Sequence, residues 1–428
     1  MPISPISRSP ITFQARLQES NKHFAETLHD TVTRLVFSRL NKFVSGIVVP
    51  ASKKDPTVVE NVCRNFERLW DPRNDLNRFL KQNFTPSSIE VTTPDGVKLR
   101  GTFFKHTAAS ETAPTVIFFQ PNAMMSKQGG FDWVLRQAAL QEFHYNFVYF
   151  DYRGCGESEG EPCLKKNLFL DGESIYQFVR DKLRVPAKDI HFYGYSLGAG
   201  VSANVKAIHP ECEGNHVNER SFTSIHHVVG SLSHYYANMR LTSYVKNAFK
   251  WIVIPIITSI AYFALSLSNW NIESTKAIAN LKGKTLIVHH PQDELMQRKA
   301  SLYQTLFQRG ILPSPNIKDL DLSRSPFKLG FIHGTPLELF TTENFNAEEK
   351  ISKFIFSSPS SFSERMLNRF IVSSPEFQSK VFETIAQRFQ SGGFYWGSAA
   401  DAFYNRNGLS LTDEMRIRAI VTTKWEAR

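Results

Sequence analysis

The sequence predicts an α/β protein with a mostly parallel sheet that is covered by helices on both faces. Short apolar segments alternate with helical segments from about residue 85 to residue 290, which is the pattern of βαβ units. One of these segments, residues 189–193, leads into Ser196 between two glycines, and small residues that suit a closely packed helix follow. The hydrophobic fraction of 42% is sufficient for a large core. Together these observations indicate a folded α/β domain.

The strands of this sheet are predicted in chain order. Residues 88–93 and 97–104 alternate in polarity around a Pro94-Asp95-Gly96 turn, which is typical of a hairpin. Continuous apolar runs predict buried strands at residues 114–119, 146–150, 189–193 and 284–290. Weaker patterns predict a strand edge at residues 219–225 and a last strand at residues 327–332.

The stretch around Ser196 indicates a nucleophilic serine. Residues 194–198 have the G-x-S-x-G pattern and lie between a predicted strand and a predicted helix. In such an elbow a strained turn lifts the serine Oγ above the sheet, and the glycines leave no Cβ where strand and helix nearly touch. The alternative is a glycine-flanked turn with an ordinary surface serine. The flanking strand and helix favour the nucleophile elbow.

An activated serine needs a base and an acid that orients the base, in the order Ser, Asp, His for this kind of elbow. Asp293 follows the buried strand at residues 284–290, on the sheet rim where ligands bind, and is the candidate acid. Glu294 is a competing carboxylate, and Asp293 could instead cap a following helix. The candidate base is His333, which comes after the last predicted strand and before Gly334. Four other histidines are rivals for that role: His226, His227, His289 and His290.

An oxyanion hole requires two backbone N–H donors. One belongs to the residue after the nucleophile, here Leu197. The other is expected from the loop after the strand at residues 114–119, and Pro121 cannot donate because it has no N–H. Asn122 or Ala123 is therefore the candidate second donor.

Four stretches of the chain resemble the α/β-hydrolase superfamily, and they occur in the order of that superfamily. They are the turn at residues 94–96, residues 151–158 (Asp-Tyr-Arg-Gly-Cys-Gly-Glu-Ser), the elbow at residues 194–198, and the loop with Asp293. With its helical end sections, the whole chain also resembles the CHLPS family of chlamydial proteins, which has no assigned activity. The superfamily resemblance implies the α/β-hydrolase fold and hydrolysis of an ester or thioester by Ser196, His333 and Asp293.

The chain departs from the superfamily in two loops. The third-strand loop is commonly His-Gly-x-x, and Gln120-Pro121 stands at the start of that loop here. The acid loop commonly has glycine after its histidine, where this chain has His290 after His289. The first departure affects the oxyanion hole, so a competing hypothesis is a catalytically silent hydrolase-fold protein that interacts at a membrane surface.

Composition divides the chain into three parts. Residues 1–84 are predicted to be a helical N-terminal extension, residues 85–358 the hydrolase domain, and residues 359–428 a helical C-terminal tail. In the extension, one or two helices are expected over residues 12–48, and a second helical piece ends near residue 84. The apolar stripe of the extension is interpreted as a packing surface, with docking to an unknown partner or a membrane as the alternative.

An uncharged segment at residues 251–270, bracketed by Trp251 and Trp270, has the length of a membrane span. Because sheet strands lie on both sides of it, a single crossing would separate Asp293 and His333 from Ser196. We therefore predict an apolar helical cap at residues 232–275, buried or at a membrane interface, over a lipid-like substrate. The alternative is a membrane-anchored protein.

Charge and cysteine content bear on partners and location. The formal net charge of +10 is spread along the chain, which favours acidic surfaces such as anionic lipid and not nucleic acid. The four cysteines lack metal or disulfide spacing, which indicates a reducing compartment, and the Ser/Pro-rich start has no signal-peptide core. We expect membrane association from the cytoplasmic side, or a soluble cytoplasmic protein as the alternative. The expected ligand is a small acyl or lipid-like molecule, with no metal and no cofactor implied.

Overall fold

The structure is a computed structural model. It describes residues 44–46, 48–49, 52, 55–73, 78–122, 124–128, 134–135, 138, 143–240, 253–323, 332–334, 337–340 and 347–356. Most of the helical pattern predicted at residues 12–48, the whole tail at residues 359–428, and residues 327–331 of the predicted last strand lie outside these ranges. The boundaries between extension, domain and tail stay predictions.

Helices and strands alternate along the described part of the chain, as the sequence predicts. The helices are α1 (Pro56–Trp70), α2 (Arg78–Asn83), α3 (Lys165–Gln177), α4 (Leu197–Ala207), α5 (Ile225–Arg240), α6 (Val253–Leu267), α7 (Ser274–Ala279), α8 (Leu302–Gln308) and α9 (Ala347–Phe356). The strands are β1 (Phe84–Thr92), β2 (Lys98–His106), β3 (Thr115–Phe119), β4 (Asn146–Phe150), β5 (Ile190–Tyr195), β6 (His216–Glu219), β7 (Thr285–His289) and β8 (Ile317–Asp321).

The described strands form one sheet in the order β1-β2-β4-β3-β5-β6-β7-β8. The predicted hairpin is β1 and β2, which pair antiparallel up to Thr92 and Lys98, and Gly96 in its turn has a φ of 84°. Strand β2 also pairs antiparallel with β4, whereas the pairs from β4 through β3, β5, β6 and β7 to β8 are parallel. The prediction of a mostly parallel sheet covered by helices is therefore confirmed.

Neighbouring residues of the central strands enter different cores, because side chains alternate across a strand. Phe119 lies in the core with Leu168 of α3 and Val201 of α4. Phe118 lies in the core on the opposite face, with Tyr193 and with Ile351 of α9. This burial on both faces explains why the central strands appear in the sequence as continuous apolar runs.

One predicted strand differs from the structure, and one strand of the structure was not predicted. Strand β6 ends at Glu219, where the weak strand at residues 219–225 was expected to begin. Apolar periodicity misses β6 because its buried positions include His216 and Asn218, whose side chains bond to the elbow helix at Ser202 Oγ (3.0 Å) and Ala199 O (2.9 Å). Strand β8 was not predicted, and its mostly polar sequence suits its edge position in the described sheet.

Two features connect the outer segments to the sheet. Helix α1 packs on β2, with the Trp70 ring centroid 5.2 Å from that of Phe104. Arg153, with 3% of its side chain exposed, pairs with Asp95 in the hairpin turn at 2.7 Å and with the fully buried Asp171 of α3 at 2.8 Å. These two ion pairs hold the hairpin turn against the loop that follows β4.

Candidate active site

Ser196 lies at a sharp turn between β5 and α4, as the elbow pattern predicts. Its φ of 53° and ψ of −116° place it in a strained backbone region for a residue with a side chain. Glycine is required on both sides because a Cβ on Gly194 would lie 2.4 Å from Ala199 Cα, and a Cβ on Gly198 would lie 2.0 Å from Phe119 O. The serine N–H donates to Glu219 O at 2.9 Å, which fixes the turn against β6.

The structure brings Ser196, His333 and Asp293 together from three separate parts of the chain. Ser196 Oγ lies 2.9 Å from His333 Nε2, and His333 Nδ1 lies 2.9 Å from Asp293 Oδ2. All three residues are buried. Both distances are within hydrogen-bonding range, so the imidazole bridges the hydroxyl and the carboxylate. Such an arrangement can remove the serine proton while the carboxylate holds the ring.

Asp293 is held by its own loop as well as by the histidine. Its Oδ1 accepts the backbone N–H groups of Leu295 and Met296, each at 3.0 Å. Burial raises the pKa of Asp293, but the adjacent charge and hydrogen bond of His333 and the bond from Met296 outweigh burial and bring the pKa below its ordinary value. The carboxyl is therefore ionised at neutral pH.

Glu294, the competing acid, faces a different group. Its Oε2 accepts the N–H of Ile332 at 3.1 Å, so it contacts the backbone before His333 and not the imidazole. Burial, followed by the repulsion of Asp293, raises the pKa of Glu294 to about 7. The two neighbouring carboxyls thus differ in charge state near neutral pH because their surroundings differ.

The rival histidines have other partners. His289 stacks on Tyr303, with ring centroids 3.6 Å apart, and its Nε2 lies 3.3 Å from Asp319 Oδ2. His290 Nδ1 accepts the N–H of Gln292 at 3.0 Å. The remaining two lie near serines: His226 Nε2 is 3.2 Å from Ser266 Oγ, and His227 Nδ1 is 2.9 Å from Ser224 Oγ.

Of the two expected oxyanion donors, one lies at the start of a helix and the other in a turn. Leu197 is the first residue of α4, so its N–H has no acceptor within the helix. Asn122 is exposed in a turn in which Met124 N–H donates to Pro121 O at 3.4 Å. Ala123 lies outside the described residues. A Cβ on Gly198 would also lie 2.6 Å from Gln120 O, so the start of this loop touches the beginning of α4.

Asp151, which directly follows β4, fixes the segment at Ser126 that comes after the β3 loop. Its carboxylate accepts the Ser126 backbone N–H at 2.6 Å and the Ser126 hydroxyl at 2.8 Å. Burial raises the pKa of Asp151 to about 6 even though both bonds favour the ionised form. The sequence analysis singled out residues 151–158 but gave Asp151 no role, and nothing in the sequence indicates its contact with Ser126.

The predicted cap contains α6, which packs beside α5 and carries no charged residue. Its Ile256, Ile260 and Phe263 side chains are 54%, 64% and 66% exposed, whereas Leu265 and Trp270 are buried. Trp251 lies outside the described residues. Within the described ranges, no helix is long and apolar enough to cross a membrane. The described part of the chain also holds no cluster of three histidine, cysteine or acidic side chains arranged for a metal ion.

Comparisons with known proteins show which families the chain is similar to. Residues 116–228 match the model of the family described as Chlamydia CHLPS protein (DUF818). The chain is 35% identical over 92 residues to the lysophosphatidylserine lipase ABHD12 of Danio rerio, covering 22% of this chain and 23% of that protein. It is 26% identical over 220 residues to the alpha/beta hydrolase domain-containing protein WAV2 of Arabidopsis thaliana, covering 50% of this chain and 64% of that protein.

The chain has the α/β-hydrolase fold. The resemblance to the CHLPS family and to the α/β-hydrolase superfamily is confirmed by these matches, which span about a quarter to two thirds of the curated relatives. Among solved structures, an esterase of Pyrococcus furiosus is similar with a TM-score of 0.42 and 18% identity, covering 56% of this chain and 81% of that one. An α/β hydrolase of Vibrio vulnificus is similar with a TM-score of 0.46 and 13% identity, covering 66% and 85%.

Proposed function

We propose that this protein is a serine hydrolase that cleaves an ester or thioester of an acyl or lipid-like substrate. The observation that carries the proposal is the hydrogen-bonded series from Ser196 Oγ through His333 to Asp293, at the tip of a strained elbow. The lipase named among the relatives supports a lipid-like substrate class. The uncharged helix α6 also supports it, because an exposed apolar helix face suits contact with an acyl chain or a lipid.

In the proposed reaction, Ser196 Oγ attacks the carbonyl carbon while His333 Nε2 takes the serine proton. Asp293 stabilises the imidazolium that forms, and the negative carbonyl oxygen accepts the N–H of Leu197 and a second N–H from Asn122 or Ala123. The tetrahedral intermediate then expels the alcohol or thiol, which receives the proton from His333. Water, activated by the same imidazole, attacks the acyl-enzyme and releases the carboxylic acid.

A fluorophosphonate probe tests this proposal, because it bonds covalently to an activated serine. We expect the folded wild-type protein to be labelled and Ser196→Ala not to be. Ser202→Ala is the matched control, since Ser202 is a buried serine of the following helix α4 whose hydroxyl contacts His216 and not His333. Folded wild-type protein without labelling would overturn the proposal and favour the catalytically silent interaction protein.

We further propose that the outer face of α6 contacts a lipid surface from the reducing side of the membrane. Ile256, Ile260 and Phe263 are spaced so that they share one helix face, and all three are more than half exposed. The net charge of +10 favours an anionic surface. The four cysteines lack disulfide spacing, which agrees with a reducing compartment. Substrate could then enter the site from the membrane interface.

Sedimentation with vesicles of phosphatidylcholine and phosphatidylserine tests this contact. Replacing Ile256, Ile260 and Phe263 together with serine should weaken vesicle binding roughly 100-fold. Each of the three side chains should contribute about 1 kcal/mol to the free energy of binding when it enters the lipid. The matched control replaces three exposed apolar residues elsewhere with serine, namely Val58, Ile208 and Phe307, and should bind as the wild type does. Equal vesicle binding by both triple variants would refute the proposal.

A further inference from the structure

We propose that Arg220 is a positioning residue that fixes the backbone before His333 and thereby sets the place of the imidazole between Ser196 and Asp293. This inference rests on the proposed function, since it assigns a role within that same site. Arg220 follows β6, and its guanidinium donates to Glu219 and to the Ile332 carbonyl and not to Ser196 or Asp293. Its charge also lowers the pKa of Asp293, but its hydrogen bond to the site is made to the loop that carries the histidine.

The direct contact is a hydrogen bond to that loop. Arg220 Nη1 donates to the carbonyl oxygen of Ile332 at 2.9 Å, and Ile332 is the residue immediately before His333. The guanidinium is only 3% exposed, so water does not compete for this carbonyl. A charged donor in such surroundings makes a stronger bond than a neutral one.

The guanidinium is itself held in one orientation. Its Nε and Nη2 both donate to Glu219 Oε1, the former at 2.9 Å, and the other Glu219 oxygen accepts the Tyr193 hydroxyl. The guanidinium carbon lies 4.6 Å from the ring centroid of Tyr195 and 5.7 Å from that of Phe340. Two hydrogen bonds and two aromatic rings thus leave the planar group little freedom to move.

Two further side chains hold the same short piece of backbone. The Tyr195 hydroxyl donates to the carbonyl oxygen of His333, and Glu294 accepts the Ile332 N–H. Tyr195 also directly precedes Ser196 and lies against the guanidinium. The strand end that carries the nucleophile and the loop that carries the base are therefore joined through Arg220 and Tyr195.

The chemistry of arginine suits this role better than that of lysine. The fork of the guanidinium bonds Glu219 through two nitrogens and still has Nη1 for Ile332 O. A lysine ammonium keeps the positive charge but is a single point on a flexible chain, so it cannot reproduce this geometry. Arg220→Lys therefore removes the positioning while it preserves the charge near Asp293.

Steady-state kinetics and labelling of full-length Arg220→Lys test the proposal. We expect kcat and the rate of fluorophosphonate labelling to fall on the order of 10- to 100-fold, with KM for a p-nitrophenyl ester changed less than threefold. The matched control is Arg153→Lys, because Arg153 is equally buried and paired with two carboxylates. We expect Arg153→Lys to lose thermal stability but to keep its kcat. An Arg220→Lys kcat within twofold of wild type would overturn the proposal.

A spectroscopic measurement separates failure of this inference from failure of the proposed function. The proton between His333 Nδ1 and Asp293 should give a far-downfield proton NMR signal in wild type and in Arg153→Lys. This signal should be absent in Arg220→Lys. If the wild type is unreactive but this signal still depends on Arg220, only the proposed function fails. If the wild type is reactive and the signal is unchanged in Arg220→Lys, only this inference fails. If Arg220→Lys does not fold, Glu219→Gln is the second variant, because it weakens the hydrogen bonds that orient Arg220. We expect Glu219→Gln to lower kcat and to leave KM unchanged. An unchanged kcat would overturn the inference.

Discussion

The exchange Asp293→Asn tests how the proposed site depends on one oxygen atom. In the wild type, Oδ1 accepts two backbone N–H groups, from Leu295 and Met296, while Oδ2 faces His333 Nδ1. An asparagine must place its carbonyl oxygen toward the two backbone donors, because its NH₂ group cannot accept them. The NH₂ group then faces the imidazole and donates to Nδ1. The ring proton is forced onto Nε2, which can no longer take the proton of Ser196.

The expected size of the effect follows from this reversal. We expect kcat at pH 7 to fall about 10⁴-fold, the loss known for the same exchange in a serine protease triad. The free energy of unfolding should fall by only about 1 kcal/mol, because both backbone bonds are kept and one charged bond becomes neutral. Ester hydrolysis and chemical unfolding measure the two quantities separately.

The matched control for this prediction is Asp319→Asn. Asp319 is also paired with a histidine, His289, but at 3.3 Å and on the edge strand β8. This control should hydrolyse esters at the wild-type rate. If Asp293→Asn keeps kcat within tenfold of wild type, Asp293 does not orient the base. If Asp293→Asn is unfolded, its loss of kcat comes from lost stability. The asparagine then does not keep the two backbone hydrogen bonds on which the argument about the imidazole tautomer rests, and that argument is contradicted.

Two further predictions concern stability. Glu294 has a pKa near 7 when folded, against about 4.3 unfolded, so the wild type loses stability as pH rises from about 4.3 to 7. Glu294→Gln lacks this loss, so its stability relative to wild type should increase by about 3 kcal/mol between pH 4 and pH 8 in urea unfolding, and a pH-independent difference would contradict it. Gly198→Ala should cost about 3 kcal/mol because its Cβ would lie 2.0 Å from Phe119 O. Gly96 has a φ of 84°, and a Cβ added there would meet no atom within 4 Å, so Gly96→Ala should cost only about 1 kcal/mol in the same urea unfolding. Equal costs for the two exchanges would refute the packing explanation.

Local sequence patterns predicted those parts of the molecule whose physical requirements are local. The hairpin turn at Asp95 and Gly96 and the apolar strands β3, β4, β5 and β7 were predicted from turn chemistry and continuous hydrophobicity. The patterns missed β6, because His216 and Asn218 are buried by bonding to the elbow helix, which no local pattern records. They also missed β8, because an edge strand needs few apolar residues.

The sequence by itself determined the fold class and the position of the strained serine, since G-x-S-x-G between a strand and a helix expresses a steric requirement of neighbouring residues. It also determined which residue types could serve as acid and base, but left five histidines and two carboxylates as candidates. Only the tertiary structure brought His333 and Asp293 to Ser196 and turned Glu294 and the other histidines toward different partners. The physical reason is that hydrogen bonds between residues far apart in sequence depend on strand order and loop path. The contact of Arg220 with the loop before His333 belongs to this second kind.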